Sequence, residues 1–375
     1  MVPPTPTRND PVEVSLSAVL FTVRQAAPQV LVIAAPPDPW QSTAVALGLT
    51  VGADAAASDA LPFGPLDPLR DATLERGLLG WVQRQTGLEL DWIEQLYTFG
   101  DQYRDPRELA GARAVAVAYL AIVDAEQASV RAGAHWRDIY RLLPWEDWRA
   151  GRPAPVLEVI VPSLANWVAD APDATTRAAR RERADIAFGL GPASWDADRV
   201  LDRYELLYEL GLVAEAHVDA ALRRANGVTL RHAPWQGLPA ISPSAPPDTV
   251  TPPLARATLL GQAMLHDHRR ILATALGRLR GKLRYRPVVF ELLPPAFTLS
   301  ELQRVVESLT GQCLHAANFR RLLDGSGLVE DTGKFAPTGG RPARRYRFRR
   351  EVLKERRAPG LGLARRRRGG GASFS

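Results

Sequence analysis

A chain of 375 residues has room for two or three domains at roughly 100–200 residues each. Its 46% apolar and 23% charged residues are a globular composition, which excludes a wholly disordered chain. No apolar run approaches the ~18 residues of a membrane span, and the proline-rich stretch 1–11 lacks the layout of a signal peptide. The single cysteine, Cys313, excludes an intrachain disulfide framework and a multi-cysteine zinc site, so a reduced, cytoplasmic setting is expected, with no membrane partner.

The net charge of +6 is unevenly spread. Residues 256–375 carry 25 Lys and Arg against 9 Asp and Glu, a net +16, while 1–255 carry 22 against 32, a net −10. A basic last third behind an acidic front is the layout of a nucleic-acid-binding module beside a domain with another task. Part of the excess sits in the tail 351–375, whose Arg365-Arg366-Arg367-Arg368 and following glycines read as disordered; residues 256–350 remain at +11 without it.

In chain order, Glu13 to Arg24 alternates around Val14, Leu16, Ala18 and Leu20, and Gln29 to Ala34 is a short apolar run. Both predict strands, joined by a turn at Ala26-Ala27-Pro28. Helical spacing of Leu74, Leu78 and Val82 predicts a helix over about 70–86, stopped by Gly87. Further strands are expected at 91–96 and 112–123, the second buried. From His135 to about Ala225 the pattern turns helical, with Trp136, Trp145, Trp148 and Trp167 expected to pack its core, and 227–253 is a proline-rich linker. Asp267 to Leu283 is an amphipathic helix with Ile271, Leu272, Ala275, Leu276 and Leu279 on one face. His266 and His268 flank Asp267 at its start; two histidines and one acid without a fourth ligand point to structural capping rather than a metal site.

The C-terminal third carries the clearest pattern. Phe297-Thr298-Leu299-Ser300-Glu301 is a capping-box start, followed by an apolar face at Leu302, Val305, Val306 and Leu309. After Thr310-Gly311-Gln312 a second helix is predicted over about 315–324, stopped by Gly325, with Phe319, Leu322 and Leu323 inward. His315, Asn318, Arg320 and Arg321 are then the candidates to meet bases or phosphates. Strands beginning at Gly327-Leu328-Val329-Glu330 and Arg344-Arg345-Tyr346-Arg347-Phe348-Arg349 enclose a loop with Lys334 and Arg341. A helix-turn-helix followed by a cationic β-wing is a DNA-binding layout, with Lys334, Arg341, Arg344 and Arg345 set against phosphates. The other use of such a module is protein contact.

In the front part, Leu61-Pro62-Phe63-Gly64 leading to a helix that ends in Gln85-Thr86-Gly87-Leu88 resembles the Nudix box, in which glutamates on one helix face hold divalent cations for pyrophosphate hydrolysis. Registered on Gly87, Gly80-Trp81 stand where that box has Arg-Glu, Arg84-Gln85 where it has Glu-Glu, and Ala72 at its first glutamate. Only Asp71 and Glu75 supply acid in this helix, so no catalytic or metal residue is assigned. Downstream, Phe99 offers a ring to a base, and Arg104, Arg107 and Arg113 offer forked pairing to a pyrophosphate; the plainer alternatives are a packed ring and exposed loop arginines.

Several short motifs in order, Gln95–Asp101, Arg104-Asp105-Pro106-Arg107, His266-Asp267-His268, Arg278–Leu283, Leu292-Leu293-Pro294, Asn318–Arg321 and Gly340–Ala343, resemble the Nudix-related transcriptional regulators of NAD metabolism. The resemblance covers about 12–125 and 255–350. It implies an α+β chain: a Nudix-like α/β/α sandwich over 12–125 as effector domain and a winged helix-turn-helix over 255–350. Between them would lie a helical insertion and linker over 126–254, longer than the family places there, with the basic tail 351–375 at the end. It further implies a catalytically inactive domain without a bound cofactor, an ADP-ribose-like effector nucleotide, a double-stranded DNA operator and a homodimer. Two other functions fit the same residues: a working Nudix hydrolase fused to a winged helix, and a protein-binding adaptor.

Overall fold

The computed structural model describes residues 12–36, 38–49, 58–90, 92–101, 113–124, 129–227, 260–337, 342–355, 357 and 359–362. Strand β1 (Val12–Arg24) turns into β2 (Ala27–Ala35) through Gln25 and Ala26, both at positive φ (51° and 60°). Two central residues of that hand match the twist of a tight hairpin. The turn thus falls one residue before the expected one, and Pro28 pairs with Val23 inside the ladder.

β1 also pairs in parallel with β6 (Arg113–Ile122), and the sheet runs β3-β2-β1-β6-β5, with β3 at Ser58–Ala60 and β5 at Glu94–Phe99. β4 (Phe63–Pro65) adds to β1 and β7 (Ala134–Asp138) to β2. β7 lies in the stretch expected to be helical. It is held as a strand by its ladder to β2 and by Arg137, which pairs with the buried Asp59 of β3 at 2.7 Å. Five residues carry too little periodicity of their own to announce that pairing.

Alternation along β1 sends successive side chains to two cores. Leu16, Ala18 and Leu20 pack with Leu31 and Ile33 under α1 (Pro39–Ala46), α2 (Leu74–Thr86) and α7 (Ala214–Ala225). Helix α2 starts later than expected, because Thr73 takes the N-cap position and accepts from Arg76 N at 3.1 Å. Val19, Phe21 and Val23 face the other way. There they join α6 (Val200–Glu209), α8 (His268–Lys282), and α9 (Leu299–Thr310) and α10 (Ala316–Ser326) of the C-terminal module in one continuous core. The helices α3 (Ile139–Leu142), α4 (Val161–Ala169) and α5 (Ala174–Phe188) belong to the same side. Of the four tryptophans read as the core of this part, Trp145 and Trp148 are buried, and Trp136 and Trp167 pack partly buried against the two cores.

Buried charge joins the layers. Glu146, fully buried, accepts from Arg203 of α6 at 2.5 Å and from Arg280 of α8. Arg280 Nε donates to the Leu309 carbonyl of α9 at 3.0 Å, and Tyr140 donates its hydroxyl to the Ser308 carbonyl at 2.6 Å. Arg269 of α8 reaches Glu215 of α7 at 2.5 Å and the carbonyls of Leu142, Leu260 and Gln262, each at 3.1 Å.

The last residues depart from expectation. Helix α11 (Val352–Glu355) buries Val352, Leu361 is buried, and the Leu361 and Gly362 amides donate to the Leu283 and Arg284 carbonyls. The described residues of 351–362 are docked, against the disorder expected from 351 onward; 356, 358 and 363–375 lie outside the described residues, as does the predicted linker from 228. Among the described residues no helix is long and apolar enough to cross a membrane.

Candidate functional site

In the front part, α2 presents to β4 the face that would carry metal ligands in a Nudix box. Trp81 occupies it: its indole lies against Gly64 and its Nε1 donates to the Pro65 carbonyl at 2.9 Å. Arg84 stacks on that indole, 4.3 Å from the ring centre. Gln85 accepts from Phe63 N at 3.0 Å and donates to Phe63 O at 2.8 Å, tying loop to helix. Asp71 faces back into its own turn, accepting from Asp67 N at 2.8 Å. Among the described residues no group of three His, Cys, Asp or Glu is placed to hold a metal. An aromatic ring and a guanidinium do not fit a divalent cation.

Of the expected effector residues, Phe99 is 4% exposed and packs in the core with the guanidinium of Arg270 over its ring, 5.2 Å from the centre. Its ring is not open to a base; the packed alternative holds, because β5 directs it toward α8. Arg113 is half-buried and donates to the Gly100 carbonyl, bracing the two ends of the loop between β5 and β6. Arg104 and Arg107 lie outside the described residues. His266 and His268 are structural but not as helix caps. His268 Nδ1 accepts from Leu61 N at 3.0 Å, and His266 Nε2 pairs with Asp38 at 2.6 Å, so both reach across to the front part of the chain.

The C-terminal module is built as its sequence pattern requires. Thr298 and Glu301 close a capping box at α9, bonding at 3.2 and 2.6 Å. Gly311 ends α9 at φ 68°, and a β-carbon there would stand 2.2 Å from the Glu146 carbonyl oxygen, so glycine is needed twice over. Helix α10 runs through Gly325 to Ser326 and ends at Gly327, φ 62°, two residues beyond the predicted stop. It buries Phe319 and Leu323 and exposes Asn318, Arg320 and Arg321, with His315 as its N-cap residue, also exposed. The wing pairs β8 (Val329–Ala336) with β9 (Ala343–Phe348), and Phe297 joins it by a bridge to Tyr346.

The wing cations divide into two groups. Arg344 pairs with Asp331 at 2.8 Å, Arg347 with Glu330 and Arg349 with Glu355. Among the described residues Lys334 and Arg345 of the wing have no carboxylate partner, nor do Arg320 and Arg321 of α10. Arg341 lies outside the described residues. The cross-strand carboxylates that blunt Arg344 and Arg347 follow from the strand register, which sequence reasoning did not set.

Residues 289–348 match the family described as the NrtR DNA-binding winged helix domain. A curated relative, the ADPR responsive transcriptional repressor NtrR of Acinetobacter baylyi (strain ATCC 33305 / BD413 / ADP1), is 44% identical over 82 residues, 22% of this chain. The match spans 33% of the relative, so the chain covers about a third of its length. Among solved structures, Shewanella oneidensis NrtR complexed with a 27mer DNA aligns at TM-score 0.47 and 19% identity over 91% of this chain and 95% of that one. A MutT/nudix family protein from Enterococcus faecalis aligns at 0.42 and 18% over 92% and 89%. Over residues 289–348 the chain matches the NrtR winged helix domain, and its likeness to the Nudix-related transcriptional regulators is borne out there.

Proposed function

We propose that the chain is a DNA-binding transcriptional regulator whose Nudix-like front senses an ADP-ribose-like nucleotide without hydrolysing it. The carrying observation is α10: it exposes Asn318, Arg320 and Arg321 while burying Phe319 and Leu323, in a segment of the DNA-binding winged helix type. A helix of this kind enters the major groove while the wing follows phosphates. The relative's description as ADPR responsive supports the choice of effector. Arg104, Arg107 and Arg113 are the residues proposed to take its pyrophosphate, and a homodimer is proposed to match a two-fold operator.

The test is a gel shift of the full chain on the DNA upstream of its own gene, at several salt concentrations, with and without ADP-ribose. Tight, sequence-selective binding altered by ADP-ribose is expected. Weak, sequence-indifferent binding would favour the adaptor reading. In the same preparation Arg107→Ala should lose about tenfold in ADP-ribose affinity by calorimetry, the effect of losing a charge-assisted hydrogen bond, with DNA affinity in the absence of nucleotide unchanged.

A further inference from the structure

Residues 359–362 form a clasp on the end of α8. Pro359 and Leu361 are buried, and the Leu361 and Gly362 amides donate to the Leu283 and Arg284 carbonyls at 3.0 and 3.1 Å. A helix end leaves carbonyls without an intrahelical partner, and here the later segment supplies the donors. Gly360 lies so close that a β-carbon on it would stand 2.1 Å from the Arg284 carbonyl carbon, so the approach needs glycine. The clasp fixes where the chain leaves the folded body, at the exposed Gly362.

That exit point adjoins the start of α10. Arg284, whose carbonyl holds the Gly362 amide, also lines a cavity of 440 Å³ shared with His315 and Asn318. In a helix-turn-helix the first residues of the second helix are the ones that meet base edges, so DNA seated there passes close to Gly362. Beyond Gly362 the chain continues through Leu363 and Ala364 to Arg365-Arg366-Arg367-Arg368, and 363–375 contain no acid. At no more than ~3.6 Å per residue, Arg365 falls within ~11 Å of Gly362 and Arg368 within ~22 Å. The carboxylates around the clasp are engaged: Asp198 by Arg284 at 2.7 Å and Glu355 by Arg349 at 2.6 Å. Arg286 and Arg357 flank it in the sequence, exposed and without a carboxylate partner among the described residues.

We propose that Arg365–Arg368 are an anchored arm that binds the phosphates of the DNA held by α10, with its root set by the clasp of Pro359, Gly360 and Leu361 on α8. Duplex DNA presents one negative charge per ~1.7 Å of its axis, and four adjacent cations tethered beside it displace its counterions. The arm is a third DNA contact, separate from the helix and the wing, and it carries affinity without base preference. It rests on the DNA-binding reading of the chain and not on the identity of the effector.

The test measures binding of the full-length chain to labelled duplexes across a salt series, one from upstream of its own gene and one of random sequence. Two variants that keep the clasp are measured beside it. The first combines Arg365→Gln, Arg366→Gln, Arg367→Gln and Arg368→Gln. Its slope of log affinity against log salt should be lower by about 3–4, at ~0.9 per phosphate contact, on both duplexes alike. The second inserts ten Gly and Ser residues after Gly362, lengthening the tether to Arg365 from three residues to thirteen. Its slope should hold, because the contacts are kept, while affinity falls by up to about ninefold, as local concentration drops with the −3/2 power of tether length. An unchanged slope in the first variant overturns the arm and leaves selective binding by α10 standing. Tighter binding by that variant also overturns it, since the arginines then lie on the acidic front of the chain. Unchanged affinity in the second variant overturns the anchoring. A lowered slope in a chain that shows no sequence preference keeps the arm and sinks the regulator reading, and no DNA binding by the full chain sinks both.

Discussion

The indole of Trp81 lies over Gly64 so closely that a β-carbon on that glycine would stand 2.1 Å from Trp81 Cε2. Tryptophan and glycine together close the corner between α2 and β4 in which a Nudix hydrolase would hold its metal. The pair makes the corner a packed contact, and Arg84 stacked on the same ring adds positive charge to it.

The first prediction follows from that contact. Magnesium-dependent phosphate release from ADP-ribose should stay far below ordinary enzyme rates of roughly 1 per second or more, in the natural chain and in Trp81→Glu alike. The substitution restores one carboxylate, while Arg84 and Gln85 still stand where a second pair is needed. Turnover in Trp81→Glu would show that the corner reopens around a single acid.

Glu146 is the second target. Burial alone would raise its carboxyl, but Arg203 and Arg280 outweigh that and hold it below the ordinary carboxylate value. Removing its charge leaves two buried guanidiniums facing each other. Glu146→Gln should therefore cost about 3–5 kcal/mol in denaturant unfolding, the usual effect of breaking a buried pair from one side. A loss no larger than that of a typical surface substitution would mean the arginines repartner with carbonyls.

A third prediction concerns acid. Burial of Asp38 pushes its carboxyl up, but the His266 hydrogen bond and charge, with the Gln41 and Trp40 amides, hold it below 3.8. A carboxylate with a depressed value in the folded state contributes stability that is present above its unfolded value and lost as pH falls through the folded one. The stability gap between the natural chain and Asp38→Asn should be present in mild acid and close as pH drops below about 4. A gap independent of pH would assign the Asp38 effect to its capping bond with Gln41 N at 2.8 Å rather than to its charge.

On DNA, the unpaired wing cations should weigh more than the paired ones. Lys334→Ala and Arg345→Ala should each lower the slope of log affinity against log salt by about one, for all sequences alike. Arg344→Ala should lower it less, because Asp331 already offsets that charge at 2.8 Å, and Asp331→Asn should tighten binding. Arg321→Ala, on the exposed side of α10, should instead cost roughly 1–3 kcal/mol on the preferred site and relax sequence preference. Gel shifts across a salt series separate the two behaviours.

Local chemistry made the C-terminal module legible from the chain. The capping box at Thr298 and Glu301, the apolar faces of α9 and α10, and the alternating cations of β9 all act within a few residues of one another. Periodicity therefore reports them directly. The degenerate helix α2 was readable for the same reason, since the missing glutamates are a matter of residue type at fixed spacing. What only the tertiary structure decided depends on partners distant in sequence. β7 is a strand because β2 and Asp59 lie beside it. Phe99 is core because α8 covers it, and Arg344 is half-neutralised because the register sets Asp331 near it. The helical segment is tied to the winged helix by Glu146, Arg203 and Arg280, 134 positions apart at their widest, with Arg280 also donating to the Leu309 carbonyl. Contacts of that separation are set by packing and buried charge, which leave no period in the sequence.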